Sequence, residues 1–498
     1  MTDPLILSLD QGTTSTRAIL FAADGTALAE AGRPLQQFYP QDGWVEHDAE
    51  EIFAASVAVL KEAVEKGGRA LTDVTAIGVT NQRETIVVWE KATGRPIHRA
   101  IVWQDRRTEP KCASLRNAGK EARVTQLTGL LLDPYFSGTK LAWLLDHVSG
   151  ARRAAEAGEL LAGTIDAWVI WKVTGGRVHA TDATNASRTL LYDIRAGVWS
   201  AEMGDMLNVP LEILPEVRDC AGDYGETDAA ILGRAIPIRG VAGDQQAALM
   251  GQGCIRPGEM KATYGTGCFM LLNTGETAPL SGARLLTTVA AQVGGKTTYA
   301  LEGAIFIAGA AIQWVEGLGV AGGPQAVEAL AAKANEDLGV VLVPAFTGLG
   351  APWWDANARG ALFGLTRDAG LAEIARAAFD ASALQTRDLI EAMRADAAQA
   401  FKGDAVELRI DGGMSKSAWF SQRLADLTGV GVSRATYQET TALGAALFAG
   451  VGAGVYRDVE EAAASRPKTE AYAPAPGAAP RERAYARWLD AVARVRSS

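Results

Sequence analysis

The chain has 498 residues, a formal net charge of −10 and 48% hydrophobic residues. That length exceeds what one hydrophobic core usually serves, so two large domains are expected. The acidic balance argues against a nucleic-acid-binding face, and no stretch of sequence has the apolar length of a membrane span. Four widely spaced cysteines and an N-terminus without signal-peptide features predict a cytoplasmic protein with reduced thiols.

The most informative segment is 10–17, which joins two strand-like runs, residues 5–9 and 18–21. Its glycine and hydroxyl residues bring backbone N–H groups and side-chain hydroxyls to one bend, which suits a polyphosphate. Arg17 adds a fixed positive charge, whereas Asp10 would repel phosphate unless a cation lies between them. We therefore predict a phosphate hairpin with Mg²⁺ at Asp10, and the alternative is an ordinary hairpin with a polar turn.

The rest of the first half alternates helical and strand-like patterns. Residues 49–65 have helical apolar spacing, and Asp48 is placed to cap that helix. Residues 74–79 and 86–89 predict strands, and residues 163–173 predict a helix. This alternation predicts an α/β fold.

The second half repeats this layout. Residues 260–273 predict a second hairpin with glycine and threonine at its bend. Two strand-to-helix corners, at 243–244 and at 411–413, also resemble each other. We therefore predict a duplicated domain, with a cleft between the copies.

The domain boundary is predicted near residue 250, which gives an N-terminal domain over 1–250 and a C-terminal domain over 251–498. Residues 471–480 are rich in Ala and Pro and predict an exposed connector, followed by a last helix over 481–496.

Asp244 is the strongest candidate for a catalytic group. It follows the predicted strand 238–242 at a glycine corner and begins a predicted helix, with Gln245 beside it. A carboxylate there could accept the proton of a substrate hydroxyl while Gln245 holds that hydroxyl by hydrogen bonds. The alternative is a plain helix N-cap, a role in which Asp is common.

Further polar and aromatic residues predict a small-molecule pocket, and each has a structural alternative. Arg83 and Glu84 follow the predicted strand 74–79 and together offer donors and acceptors to a polyol, or they form a solvated turn. Trp103 could pack on substrate carbon atoms or in the core. Tyr135 could offer its hydroxyl to a ligand or cover the core.

Common nucleotide motifs are missing or misplaced. The sequence has no GxxxxGK[ST], which excludes a P-loop, and the GxGxxG at 317–322 follows the predicted helix 306–315 rather than a strand. Gly309 and Gln313 lie in that predicted helix and serve either a ligand or helix packing. Gly413 follows a predicted strand and allows close approach of a ligand, or it relieves a strained corner.

Taken together, these strings resemble the glycerol kinases of the FGGY carbohydrate-kinase family, within the actin, sugar-kinase and Hsp70 superfamily. The resemblance spans residues 5–456. The matching strings are residues 9–17, 43–48, 80–85, 100–104, 133–140, 181–189, 242–249, 263–270, 348–352 and 440–446.

The resemblance implies two actin-like (ribonuclease H-like) α/β domains that close over ATP and glycerol in a cleft between them. It implies that Asp244 is the general base for transfer of phosphate from ATP to glycerol, and that Mg²⁺ is held at Asp10 and Asp244. The implied glycerol-binding residues are Arg83, Glu84, Trp103, Tyr135, Asp244, Gln245 and Phe269. The implied nucleotide-binding residues are Thr13, Thr14, Ser15, Arg17, Thr266, Gly309, Gln313, Gly413 and Ser417.

The sequence departs from the family at Ser417, where Asn is usual near the adenine and ribose. The resemblance further implies a homo-dimer or homo-tetramer. Two alternatives stay open: a kinase for another small polyol or ketose on the same fold, and a non-catalytic ATP-binding protein of the actin or Hsp70 type.

Overall fold

Two mixed β-sheets, one in each half of the chain, form the framework of the protein. The structure is a computed structural model that describes residues 4–402 and 406–497. Smaller sheets and helices pack around the two frameworks. Among the described residues, no helix combines the length and apolar character needed to cross a membrane.

The strands of the first half are β1 (Leu5–Gln11), β2 (Ser15–Ala22), β3 (Ala27–Pro34), β4 (Glu46–His47), β5 (Val74–Asn81), β6 (Ile86–Glu90), β7 (Ala100–Ile101), β8 (Leu160–Thr164), β9 (Ala180–Asp182), β10 (Tyr192–Asp193), β11 (Val198–Trp199), β12 (Glu216–Arg218) and β13 (Ile238–Gly243). Its helices are α1 (Ala49–Lys66), α2 (Glu109–Asn117), α3 (Glu121–Thr128), α4 (Ser137–His147), α5 (Ala151–Glu156), α6 (Ile165–Val173), α7 (Ala183–Ala186), α8 (Ala201–Leu207), α9 (Ala229–Leu232) and α10 (Asp244–Gly251).

The strands of the second half are β14 (Met260–Tyr264), β15 (Cys268–Gly275), β16 (Leu286–Val293), β17 (Lys296–Ile305), β18 (Val341–Val343), β19 (Ala361–Phe363), β20 (Glu407–Asp411), β21 (Gly431–Ala435) and β22 (Thr469–Tyr472). Its helices are α11 (Gly309–Gly317), α12 (Gly323–Ala331), α13 (Leu371–Asp396), α14 (Ala418–Thr428), α15 (Thr440–Gly452), α16 (Val459–Ala464) and α17 (Ala479–Val495).

The two large sheets share one strand arrangement. In the first, the order is β3-β2-β1-β5-β13, with antiparallel β1, β2 and β3 and parallel β1, β5 and β13. In the second, β17-β15-β14-β20-β21 repeats the same order and directions, and β16 and β22 extend the two edges. This shared order is what the predicted duplication requires.

The hairpin expected at the start of the chain is present. β1 and β2 pair in register, with Asp10 opposite Arg17, and β5 runs parallel on the other side, with Thr80 beside Asp10. Asp48 caps α1 through its carboxylate, as predicted, by accepting from the N–H groups of Glu50 and Glu51. The helices and strands predicted from the alternating pattern therefore form around the first hairpin.

Three predicted boundaries are wrong. The predicted helix 163–173 begins only at Ile165, because the residues before it belong to β8 and pair with β6. The predicted helix 306–315 begins at Gly309, because Ala308 has a non-helical backbone and its N–H donates to the Thr266 carbonyl of the second hairpin. The predicted connector begins inside β22, where Tyr472 pairs with Val432 of β21. In each case a contact with a distant segment of the chain sets the boundary, and local composition carries no signal of that contact.

Helix α15 belongs to the second half of the chain but packs on the first sheet. Its apolar residues share a buried cluster with Ile6, Ile19 and Phe21 of the first hairpin. Gly78 of β5 and Gly240 of β13 lie directly beneath it, where a Cβ atom would overlap the helix backbone. The two halves are therefore joined by a close helix–sheet contact as well as by the chain itself.

Asp166 is a buried carboxyl group whose pKa is raised. It lies at the start of α6 and accepts hydrogen bonds from the hydroxyls of Thr164 (2.6 Å) and Thr181 (2.5 Å). Burial, and then the neighbouring Asp182 carboxylate, raise the pKa of Asp166 from 3.8 to about 7. The folded protein therefore keeps a proton there over a range of pH in which the unfolded chain has lost it.

We expect Asp166→Asn to stabilise the protein more at pH 8 than at pH 5. Since the folded pKa of Asp166 is raised, wild-type stability falls as the pH rises from about 4 to 7, and the neutral amide avoids this loss. The melting-temperature difference between the variant and the wild type should increase by about 2–3 °C from pH 5 to pH 8. Asp205→Asn, at an exposed position of α8, is the control; an equal difference at both pH values would contradict the assignment.

Candidate active site

Three of the predicted site residues lie where parallel strands end: Asp10 (metal), Arg83 (substrate) and Asp244 (catalytic). Asp10 lies near the end of β1, Arg83 follows the end of β5, and Asp244 follows the end of β13 as the first residue of α10. Because β1, β5 and β13 are parallel neighbours, their carboxyl ends lie at one edge of the sheet. Ligands of open α/β sheets bind at this edge.

All seven predicted substrate-binding residues line one small cleft there, together with Thr13 of the phosphate hairpin. The cleft together with its solvent-open mouth holds about 250 Å³ of empty space. Its lining residues are Thr13, Arg83, Glu84, Trp103, Tyr135, Asp244, Gln245 and Phe269. Phe269 comes from β15 of the second half, so the cleft lies between the two halves.

Asp244 is the accessible carboxylate of the cleft. Its side chain is 31% exposed, while the Arg83 side chain beside it is 2% exposed. Arg83 Nε lies 3.2 Å from Asp244 Oδ1, and the N–H of Gln245 donates to the same oxygen at 2.7 Å. The helix N-cap is Gly243 rather than Asp244, so the expected alternative of a plain cap does not describe its position.

Glu84 and Arg83 are buried, which removes the alternative of a solvated turn. Glu84 has a positive φ of 63°, an uncommon conformation for a residue other than glycine and one that clusters at functional sites. Its carboxylate accepts from Arg188 Nε at 2.6 Å, and its carbonyl accepts from the Ser137 hydroxyl at 3.0 Å. Burial raises the pKa of Glu84, and the Arg83 and Arg188 guanidiniums oppose that rise.

Trp103 forms an apolar wall with two other rings. It meets Tyr135 edge-to-face at 5.6 Å between ring centroids and Phe269 at 6.3 Å. Its indole N–H donates to the Thr13 hydroxyl at 2.9 Å, which ties the wall to the phosphate hairpin. The Tyr135 hydroxyl accepts from Arg83 Nη2 at 3.4 Å. The cleft thus offers both an apolar side and a polar side to a small polyhydroxy molecule.

Gln245 is oriented by a buried lysine. Lys261, on β14 of the second half, donates from Nζ to Gln245 Oε1 and to the hydroxyl of Thr263 (3.1 Å). Because the amide oxygen of Gln245 is engaged, its NH₂ group is left as the donor toward the cleft. Burial lowers the pKa of Lys261, which the Asp411 and Asp244 carboxylates partly oppose.

Asp10 has the chemistry of a cation site. Burial, and then the carboxylates of Asp244 and Glu439, raise the pKa of Asp10 to about 7, against the opposing charge of Arg17. Within residues 4–402 and 406–497, no three His, Cys, Asp and Glu side chains are grouped to hold a metal by themselves. Mg²⁺ typically takes one or two carboxylates and completes its shell with water and phosphate oxygens. Asp10 and Asp244 therefore fit Mg²⁺ that arrives with a nucleotide.

The predicted nucleotide residues fall on both halves. Thr14 is exposed at the tip of the first hairpin, Ser15 begins β2, and Arg17 pairs with Glu439 at the start of α15. At the second hairpin the Thr266 carbonyl accepts from the N–H groups of Ala308 (2.9 Å) and Ala310 (3.0 Å). The second hairpin and the first turn of α11 thus form one unit.

The remaining predicted nucleotide residues surround that unit. Gly309 begins α11 against the second hairpin, and Gln313 is exposed one turn later. Gly413 is exposed and a Cβ there would meet no atom within 4 Å, so a ligand can approach its backbone. Ser417 caps α14 by accepting from the Phe420 N–H at 2.8 Å, which occupies its hydroxyl oxygen.

Sequence reasoning assigned no role to four charged groups at the site: the buried Arg188, Lys261 and Glu302, and the partly exposed Glu439. Lys261 is the one charged residue of β14, and Glu302 is the one charged residue in the largely buried part of β17, residues 299–305. A lone charge in such a strand is a usable signal, because buried charges are rare unless they are paired.

The comparisons with known proteins agree with this architecture. The sequence matches the N-terminal domain of the FGGY family of carbohydrate kinases over residues 5–251 and its C-terminal domain over residues 260–453. It is 55% identical to a glycerol kinase of Alcanivorax borkumensis over 493 residues, covering 99% of this chain and 98% of that protein. It is 56% identical to a glycerol kinase of Cereibacter sphaeroides over 493 residues, covering 98% and 99%.

A crystal structure of Plasmodium falciparum glycerol kinase with ADP superposes with a TM-score of 0.93 at 31% identity, covering 99% of this chain and 98% of that one. Full-length similarity in both sequence and structure, together with the two matched domains, shows that the chain belongs to the FGGY family of carbohydrate kinases.

Proposed function

We propose that the protein transfers the γ-phosphoryl group of ATP to a terminal hydroxyl of glycerol, giving sn-glycerol 3-phosphate, with Asp244 as the general base. The observation that carries this proposal is the single cleft that gathers Thr13 of the phosphate hairpin, Asp244 and the polar and aromatic residues expected to bind glycerol. The names of the relatives that are 55% and 56% identical support the same substrate. The ADP in the solved structure of the Plasmodium relative supports the nucleotide.

The polar side of the cleft would bind and orient the three hydroxyls. Arg83 and the amide of Gln245 donate, Glu84 accepts, and the Tyr135 hydroxyl can do either. Trp103 and Phe269 would cover the carbon atoms and exclude water, which otherwise competes for the phosphoryl group. This positioning supplies most of the catalysis, because phosphoryl transfer needs alignment and charge neutralisation more than covalent help.

Asp244 would accept the proton of the attacking hydroxyl at its carboxylate. The side chain is accessible from the cleft, and Arg83 and the N–H of Gln245 hold Oδ1 in place. The hydroxyls of the first hairpin, Arg17, and the second hairpin with Gly413 would bind the phosphates and the nucleoside. Mg²⁺, held at Asp10 and Asp244 when bound, would neutralise charge on the phosphate oxygens.

The proposal includes two domains, over 1–250 and 251–498, that close around the substrates. It also includes a homo-oligomer, as a dimer or tetramer, and a cytoplasmic location where ATP is available. The four buried free cysteines are compatible with a reducing compartment.

Coupled detection of ADP with glycerol, erythritol, xylulose and ribulose tests the proposed reaction. We expect turnover that depends on both Mg²⁺ and glycerol, with a kcat/KM for glycerol at least tenfold above that for the other three. A preference for a ketose or a longer polyol would reject glycerol as the substrate. ATP binding without turnover on any of the four would favour a non-catalytic ATP-binding protein of the actin or Hsp70 type.

A further inference from the structure

We propose that Glu302, supplied by the second half of the chain, is a positioning residue that holds Arg83 in its substrate-binding geometry. This inference rests on the proposed glycerol site. Glu302 lies on β17, and Arg83 follows β5 of the first half. Arg83 would then be correctly oriented in the cleft only when strand β17 of the second half packs against the first half.

Glu302 holds the guanidinium of Arg83 with both oxygens. Arg83 Nη1 lies 2.6 Å from Oε2, and Arg83 Nη2 donates to Oε1 at 3.1 Å. Such a two-point contact fixes the plane of the guanidinium as well as its distance. Both side chains are almost fully buried, with 2% of Arg83 and 1% of Glu302 exposed.

With its plane fixed, the Arg83 guanidinium also contacts two residues that line the cleft. Its Nε lies 3.2 Å from Asp244 Oδ1, and its Nη2 also donates to the Tyr135 hydroxyl at 3.4 Å. Gln246 accepts from Nη1 at 3.2 Å and supports the same orientation. Glu302 itself does not line the cleft, so its effect on substrate passes through Arg83.

Arg188 connects Glu302 to Glu84. It donates from Nη2 to Glu302 Oε1 at 2.8 Å and from Nε to Glu84 Oε1 at 2.6 Å. Positive and negative side chains therefore alternate along the buried series Arg83, Glu302, Arg188 and Glu84. Although burial disfavours ionisation, the Arg188 and Arg83 guanidiniums hold the pKa of Glu302 at about 2. Without this carboxylate, two adjacent cations would share only Glu84, and Arg83 would be drawn toward Asp244.

The test compares Glu302→Gln with the wild type in the ADP-coupled assay. Because a displacement of about 1 Å can cost about 10²-fold in rate, we expect kcat/KM for glycerol to fall about 100-fold. KM for ATP should stay within about twofold, since the contacts of Glu302 are to Arg83 and Arg188. Glu302→Asp keeps the charge but shortens the side chain by one methylene, so its kcat/KM for glycerol should lie between those of Glu302→Gln and the wild type. If Glu302→Gln does not fold, a reduced kcat/KM for glycerol in Glu302→Asp tests the inference instead.

Arg188→Gln combined with Glu302→Gln separates charge from position. The double variant restores the charge balance, so it should melt at a higher temperature than Glu302→Gln, yet its kcat/KM for glycerol should stay low. Asp388→Asn is the matched control, because Asp388 is a buried carboxylate of the second half held by Trp353, Tyr485 and Trp488. Its kinetics should match the wild type.

Three results would overturn the inference: kcat/KM for glycerol within threefold of wild type in Glu302→Gln, equal changes in KM for glycerol and ATP, or full kinetic recovery in the double variant. Each is interpretable only if the wild type turns over glycerol. Absence of glycerol-dependent turnover in the wild type would reject the proposed function itself, which keeps the two failures distinct.

Discussion

Asp244→Asn is expected to leave glycerol binding largely intact and to lower kcat by about 10²–10⁴-fold, the usual contribution of a general base. The amide has the same shape and can still accept hydrogen bonds from Arg83 and Gln245, but it cannot take the proton of the attacking hydroxyl. Glycerol affinity measured by calorimetry and kcat measured by ADP detection check the two halves of this expectation.

Asp228→Asn serves as the matched control for Asp244→Asn. Asp228 caps α9 by accepting from the Ala230 N–H at 2.8 Å, so its replacement changes a helix-start carboxylate outside the cleft. Its kcat should equal that of the wild type. If Asp244→Asn only lowered the melting temperature and kept normal turnover, Asp244 would be structural and the base assignment would be wrong.

The parts of the site that could be predicted from sequence lie in short contiguous segments. The first hairpin is recognisable because its strands, its turn and Arg17 lie together within residues 5–22, and the pairing of β1 with β2 confirms the hairpin, while phosphate binding stays a prediction. Asp244 is recognisable because a strand, a glycine and a helix follow one another directly. The gathering of the seven predicted residues from five separate segments required the family resemblance as well.

The parts that could not be predicted depend on contacts between distant segments. Glu302 meets Arg83 across 219 positions of sequence, and nothing near either residue specifies the other. The burial of Arg83 and Glu84 could not be predicted either, because their local sequence resembles a solvated turn. Their charges are tolerated in the interior because Arg188 and Glu302 pair with them. Local patterns therefore identify the groups that line the cleft better than the buried groups that hold them.

Gly444→Ala is expected to be the most damaging single-methyl change in the contact between α10 and α15. A Cβ at Gly444 would overlap the Ala247 carbonyl of α10, and a Cβ at Gly251 would likewise overlap the Thr440 carbonyl of α15. Both obstacles are backbone atoms, so the helices must separate. We expect a loss of about 3 kcal/mol or more in the free energy of unfolding, measured by urea denaturation.

Gly317→Ala provides the matched control for Gly444→Ala, because Gly317 is also helical but a Cβ there would meet no atom within 4 Å. In open space the substitution should be neutral or slightly stabilising, since alanine favours a helix over glycine. Because α10 begins with Asp244, separation of α10 from α15 should also displace the carboxylate proposed as the base, so the kcat of the folded Gly444→Ala fraction should fall. A Gly444→Ala variant that matches Gly317→Ala in both stability and kcat would show that the close contact of the two helices neither holds the halves together nor sets the position of Asp244.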